Sequence, residues 1–297
     1  MIIFAGGIDG TVETEGKDRT NIAWPAAQLA LLRSLRALNK PIVVVQLGSP
    51  VDSSELLNGN VDGFLWAGYP GQEGGRAIID VIFGKQQPSG RMPVTVYPSS
   101  YTNDVAITDM SLRPGTSNKN LGRTYVWYTG KPVIPFGHGL SYTNWTYSWR
   151  SSNSSTKALR FSLNIQDRVS MGQVKQSANT LSELNTELFR LTARVQNTGS
   201  RNSSHVVQTY VTANVGPAPY PKQNLVGYGR TRTLSPGSFE DVEFPILVQN
   251  LARTEINGSK TIYPGAYTIW LGADRSLSFN FTLAGQAEIV DNFPIPK

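Results

Sequence analysis

The sequence contains no cysteine, which removes disulfides, thiol catalysis and zinc–thiolate sites at once. Charged residues make up only 16% of the 297 residues, and Lys and Arg are never clustered. The net charge of +6 is spread over the chain: residues 1–140 carry 12 basic against 11 acidic side chains, and residues 141–297 carry 15 against 10. No basic face forms, so a nucleic-acid partner is not expected. No apolar run approaches the roughly 20 residues of a membrane span, so no membrane partner is expected either. The opening MIIFA has no basic lead-in and is too short for a signal peptide.

What is present is 39% apolar residues, enough for two packed domains in a chain of this length. The hydrophobic period changes near residue 140. Before it, Ile2–Ala5 reads as a strand and Ala26–Leu38 as a helix behind Pro25, with Leu29, Leu32, Leu35 and Leu38 on one face. PIVVVQL at 41–47 is the β-branched run of a buried parallel strand. Strands at 63–67 and 92–97 and a helix at 73–83 follow. This alternation predicts a doubly wound α/β sheet, whose ligands gather at the loops beyond the strands' C-terminal ends, here 6–19, 48–54 and 68–72.

From residue 187 the period is two. Phe189, Leu191, Ala193 and Val195 share a face, and the pattern repeats at 207–211, 242–248, 267–271 and 279–283. Such spacing predicts an antiparallel sandwich of fibronectin-III or immunoglobulin type. The expected division is 1–140 α/β, 141–186 connection and 187–297 sandwich. Within the connection, 150–182 is rich in Ser, Asn and Gln and is expected to be loose. Five Asn-x-Ser/Thr sequons, at Asn144, Asn153, Asn202, Asn257 and Asn280, give weak support to secretion.

The first crest loop, GGIDGTVETEGKDR, groups Asp9, Glu13, Glu15 and Asp18 with Lys17 and Arg19. Taken by itself it reads as a solvated turn with a few ion pairs. It lacks the G-x-G-x-x-G spacing of a phosphate loop, and its acids would repel phosphate. It also lacks a regular calcium-loop spacing. His138, between Gly137 and Gly139, reads as a loop histidine, and His205 as a surface histidine. Trp66, Trp127 and Trp149 read first as core residues and second as platforms for sugar rings.

Three strings carry a family resemblance: VETEGKDRTNIAWP at 12–25 with Gln28 beyond it, WAGYPGQEGGRAIIDVIFGKQQPSGRMPVTVYP at 66–98, and GRTYVWYTGKPVIPFGHGLSYT at 122–143. Together they resemble the C-terminal part of glycoside hydrolase family 3. GGID, VDSS at 51–54 and TDMSLRP at 108–114 resemble its fungal β-xylosidase branch. LARTEINGSKTIYPGAYTIWLG at 251–272 resembles the end of the family's fibronectin-III-like module. Two strings depart from the pattern: GSP at 48–50 is a short turn, and NKNLGRTY lacks a proline before GRTY.

The resemblance implies an exo-acting, retaining hydrolase of xylo-oligosaccharides or related β-glycosides, with no cofactor and no metal. It implies an acid/base on the first crest loop, Glu13 with Glu15 as the alternative. The nucleophile would come from an N-terminal (β/α)8 barrel that this chain does not contain. Asp18 and Arg19 are expected to hold the loop by ion pairing. The parent family is extracellular, and the chain shows no signal peptide. The rival expectation is a non-catalytic carbohydrate-binding or interaction protein that kept the scaffold.

Overall fold

The computed structural model describes residues 1–115, 119–150, 160–162 and 184–292, the main chain alone in 160–162. The chain divides into two units, Met1–Thr124 with Tyr128–Tyr142, and Tyr125–Trp127 with Thr143–Lys297.

The first unit is built on three parallel strands in the order β1 (Ile2–Gly7), β2 (Ile42–Leu47) and β3 (Gly63–Gly68), with Ile2 opposite Ile42 and Val43 opposite Gly63. The run IVVVQL takes the centre because its branched side chains fill both faces, and Ile42, Val44 and Val45 are fully buried. Helix α1 (Ala26–Arg36) lays Leu29, Leu32 and Leu35 on this core. The helix stops before Leu38, which is exposed. Asn39 turns left-handed at φ 52°, and Pro41 disfavours a helical Lys40.

Helix α2 (Gly74–Ile82) matches its expected span. The strand expected at 92–97 does not form. Pro93 cannot donate to a ladder, and the segment pairs irregularly with 133–138 through Val96 N to Ile134 O (2.9 Å) and Met92 N to His138 O (2.8 Å). Helices α3 (Tyr101–Asp104) and α4 (Thr124–Trp127) are single turns. Tyr97 stacks on Tyr101 at 4.2 Å, and Tyr128 meets both edge-on. Burial pushes the Tyr101 phenol up to about 12. In TDMSLRP, Asp109 accepts from Ser111 N and from the Asn120 amide, closing a tight loop.

The second unit is a sandwich. One sheet orders β4 (Trp145–Trp149), β6 (Glu187–Asn197) and β9 (Phe239–Leu247). The other orders β5 (Arg160–Ser162), β13 (Leu277–Ala284), β12 (Gly265–Leu271), β7 (Val206–Thr212) and β8 (Asn224–Arg230). Three short strands, β10 (Arg253–Thr254), β11 (Lys260–Ile262) and β14 (Glu288–Asp291), form a third sheet, and the turn α5 (Val248–Leu251) follows β9. Inward residues from both large sheets, among them Leu191, Ile246, Val211, Ile269 and Phe281, share one core. Strand β4 lies within the segment 141–186. Apart from Arg150 and β5, the loose connection expected at 150–182 falls outside the described residues, as does Asn153.

Asn197 is fully buried and ties three chain segments together, those at 143, 197–201 and 234. Its amide donates to Arg201 O (2.7 Å) and Leu234 O (2.9 Å), and its carbonyl oxygen accepts from Thr143 Oγ1 (2.6 Å) and Gly199 N (3.1 Å). His205 is not on the surface. It is buried, stacked 4.4 Å from Trp145, and its Nε2 meets the Tyr147 hydroxyl at 2.5 Å. The aromatic side chains of β4 supply the cover that a sequence position at a strand start does not reveal.

Candidate active site

All three parallel strands end on the same edge of the sheet, and their outgoing loops are fastened together there. Ile8 N donates to Leu47 O (3.3 Å), Gly48 N to Gly68 O (2.8 Å), and Trp66 Nε1 to Gly48 O (3.0 Å). Gln28 clamps the end of β1 from both sides, giving Nε2 to Gly7 O (2.8 Å) and receiving Gly7 N (2.9 Å). Trp66 thus serves as a loop clasp. Trp149 likewise gives its ring N–H to Ser278 O (2.8 Å).

The loop after β1 is preshaped by its own polar residues. Asp9 accepts from Thr11 N (2.9 Å) and Thr11 Oγ1 (2.6 Å). The Thr11 hydroxyl, and then its amide, hold the Asp9 carboxyl below the usual carboxylate range. Val12 N and Glu13 N close onto Asp9 O at 3.0 Å each. A tight reversal follows, with Thr14 and Lys17 exchanging main-chain hydrogen bonds. Lys17 Nζ donates back to Thr11 O.

The reversal separates the two candidate acids. Glu15 sits at its tip, exposed, with no hydrogen bond or ion pair of its side chain among the described residues. Glu13 sits at its base with 30% of its side chain exposed. It pairs with Arg19 Nε and accepts from Ser49 Oγ at 3.0 Å. Arg19 also donates to Pro50 O (3.3 Å). Of the two residues expected to hold the loop, Arg19 does so, whereas Asp18 is exposed and makes no ion pair among the described residues. Ser49 Oγ is also 3.2 Å from the hydroxyl of Tyr69, so the loops after β1, β2 and β3 each send one polar side chain to a common point.

Buried groups beneath hold the second loop. Gln46 Nε2 donates to Ser49 O (3.1 Å), Ser53 Oγ donates to Gln46 Oε1 (3.2 Å), and Trp24 Nε1 donates to Ser53 Oγ (3.2 Å). Asp52, in VDSS, accepts from Ser54 N (2.9 Å) and Ser99 N (2.7 Å), and its own N–H reaches Ile22 O (2.8 Å). Burial pushes the Asp52 carboxyl up, but the Ser54 and Ser99 bonds outweigh it and leave it below its usual range.

The site therefore presents one oriented carboxylate, Glu13, beside a guanidinium, a hydroxyl and an exposed aromatic ring. Among the described residues no group of three or more His, Asp or Glu could hold a metal ion. Ser49 and Tyr69 had no sequence signal of their own; each lies in a loop flagged only by its place beyond a strand.

A crest-loop site on a parallel sheet, followed by a β sandwich, defines a two-module chain. Residues 1–142 match the glycosyl hydrolase family 3 C-terminal domain, and residues 205–275 match a fibronectin type III-like domain. The chain belongs to glycosyl hydrolase family 3, as its C-terminal part. It is 44% identical over 296 residues to a probable exo-1,4-beta-xylosidase, xlnD, of Aspergillus flavus, and 43% identical over 295 residues to exo-1,4-beta-xylosidase xlnD of Emericella nidulans. Each alignment covers 99% of this chain and 36% of the relative, so the chain spans about a third of the length of the curated relatives it matches. Among solved structures, a GH3 exo-beta-xylosidase (XlnD) in complex with a xylobiose aziridine activity-based probe superimposes at TM-score 0.90, with 42% identity, over 99% of this chain and 37% of that one. A GH3 beta-glucosidase of Bifidobacterium adolescentis follows at TM-score 0.71 and 26% identity, over 95% of this chain and 38% of that one. No helix among the described residues is long and apolar enough to cross a membrane.

Proposed function

We propose that this chain is the acid/base part of an exo-acting, retaining β-xylosidase that works on xylo-oligosaccharides in the extracellular space. The observation that carries this reading is Glu13, held at the crest by Ser49 and Arg19 while Glu15 stands free at a turn tip. In the complete enzyme an N-terminal (β/α)8 barrel supplies a carboxylate nucleophile, roughly 5–5.5 Å from the acid. The nucleophile attacks the anomeric carbon and the bond to the departing oxygen breaks. Glu13 gives that oxygen its proton, then takes one from the water that frees the xylose. Asn144, Asn202, Asn257 and Asn280 are all exposed, which suits N-glycosylation of a secreted chain.

The test is a set of aryl β-xylosides of graded leaving-group acidity, assayed on the complete enzyme. Glu13→Gln is expected to abolish turnover of poor leaving groups and to spare the best ones, which need little protonation. The reading fails if Glu13→Gln is harmless and Glu15→Gln is not. The chain without its barrel is expected to turn over none of them, because one carboxylate cannot serve as both nucleophile and acid.

A further inference from the structure

Ser49 has a single hydroxyl proton and two oxygen neighbours, Glu13 Oε1 and the Tyr69 hydroxyl. While Glu13 is ionised its oxygen only accepts, so in that state the proton of Ser49 goes to Glu13, and Tyr69 donates to Ser49 in turn. The result is a directed chain from Tyr69 through Ser49 to Glu13, with one member from each crest loop. Its outer end is unusual for an aromatic residue. Tyr69 is 74% exposed, yet its hydroxyl is anchored, so a bare ring stands in a fixed place one hydroxyl away from the carboxylate.

Resting on the reading of Glu13 as the acid, we propose that Tyr69 is the platform for the departing group and that Ser49 is the positioning residue coupling that platform to the acid. The argument is geometric. An acid that protonates the bridging oxygen stands between the sugar under attack and the one that leaves. The sugar under attack belongs to the nucleophile's module, so groups fastened to the acid on this crest face the leaving side. An exposed aromatic face suits the C–H surface of a sugar or aryl ring. Ser49 acts at a different moment. As Glu13 loses its proton to the leaving oxygen, negative charge grows on the carboxyl, and the bond from Ser49 strengthens with it, which favours the transition state over the ground state. The platform takes the second xylose of a xylo-oligosaccharide or an aryl aglycone.

The test uses the complete enzyme, with xylobiose, xylosyl fluoride and the aryl xylosides. Ser49→Ala is expected to lower kcat/KM about tenfold on poor leaving groups, the scale of one lost hydrogen bond to a charged group, and to leave dinitrophenyl xyloside within about twofold. Ser49→Thr, which keeps a hydroxyl, is expected to restore most of the loss. Tyr69→Ala is expected to raise KM for xylobiose about fivefold, as loss of an aromatic contact implies, and to leave that for xylosyl fluoride unmoved because fluoride cannot use the platform. A Ser49→Ala enzyme slowed equally on every leaving group, or on none, overturns the positioning role. An unchanged KM for xylobiose in Tyr69→Ala overturns the platform. Glu13→Gln run in parallel separates the two levels. If it spares poor leaving groups the acid assignment itself has failed, whereas a crippled Glu13→Gln beside an indifferent Ser49→Ala removes only the coupling.

Discussion

Replacing Gly48 by Ala should unfasten the crest. Gly48 lies at φ 82°, and a Cβ built there would stand 2.1 Å from Ile8 O, a main-chain atom of the neighbouring loop. Carbon and oxygen need about 3.3 Å. The gap must open by more than 1 Å, and a carbonyl cannot swing aside as a side chain would. Three costs add. The left-handed backbone costs Ala about 1 kcal/mol. The hydrogen bonds from Gly48 N to Gly68 O and from Trp66 Nε1 to Gly48 O, about 1 kcal/mol each, are lost or stretched. The expected loss is about 3 kcal/mol. Gly59 is the control, because at φ 96° it is equally left-handed but a Cβ there meets nothing within 4 Å. Gly59→Ala should therefore cost only the backbone share, about 1 kcal/mol. Urea unfolding followed by tryptophan fluorescence, with Trp24 and Trp66 in this unit, measures both. If the two variants fall within about 0.5 kcal/mol of each other, the close approach of the loops does not carry the weight assigned to it.

In the sandwich, Asn197→Ala removes four hydrogen bonds at a fully buried site and strands their partners, so a loss of about 3 kcal/mol or more is expected in the same assay, and a loss under 1 would contradict the role given to that side chain. Asp52→Asn tests linkage. The folded carboxyl is depressed, so the unfolded chain binds more protons in that window. The stabilisation is then present above the unfolded value near 4 and lost as pH falls through the lower folded value. The gap between wild type and Asp52→Asn, on the order of 1 kcal/mol, should persist from pH 5 to 7 and close toward pH 2; a gap that widens on acidification would reverse the sign.

What was legible in the sequence followed from short-range physics. IVVVQL declared a buried strand because four adjacent branched residues fit little else, and the period-two runs from 187 onward declared a sandwich. The string VETEGKDR located the acidic loop. Misses came where a distant element decides. The strand expected at 92–97 had a strand-like composition, but Pro93 and an irregular partner at 133–138 kept it from joining a ladder. His205 looked like a strand-end surface residue until Trp145 and Tyr147 covered it. The choice between Glu13 and Glu15 could not be read from a spacing of two, since the main-chain reversal that sets them apart closes between Thr14 and Lys17. Ser49 and Tyr69 matter only in relation to Glu13, which is 36 residues from one and still further from the other.

Two of the bonds between the crest loops, Ile8 N to Leu47 O and Gly48 N to Gly68 O, join main-chain groups, and such bonds are indifferent to side-chain identity. Natural drift and deliberate redesign therefore share a freedom here. Exchanges at 49 and 69 leave those two bonds in place beneath Glu13. A beta-glucosidase only 26% identical still superimposes at TM-score 0.71, as expected of a frame inherited apart from its lining. For an engineer seeking a new aglycone preference, a small library at those two positions, with Gly48 and Gln28 left alone, is the economical place to begin.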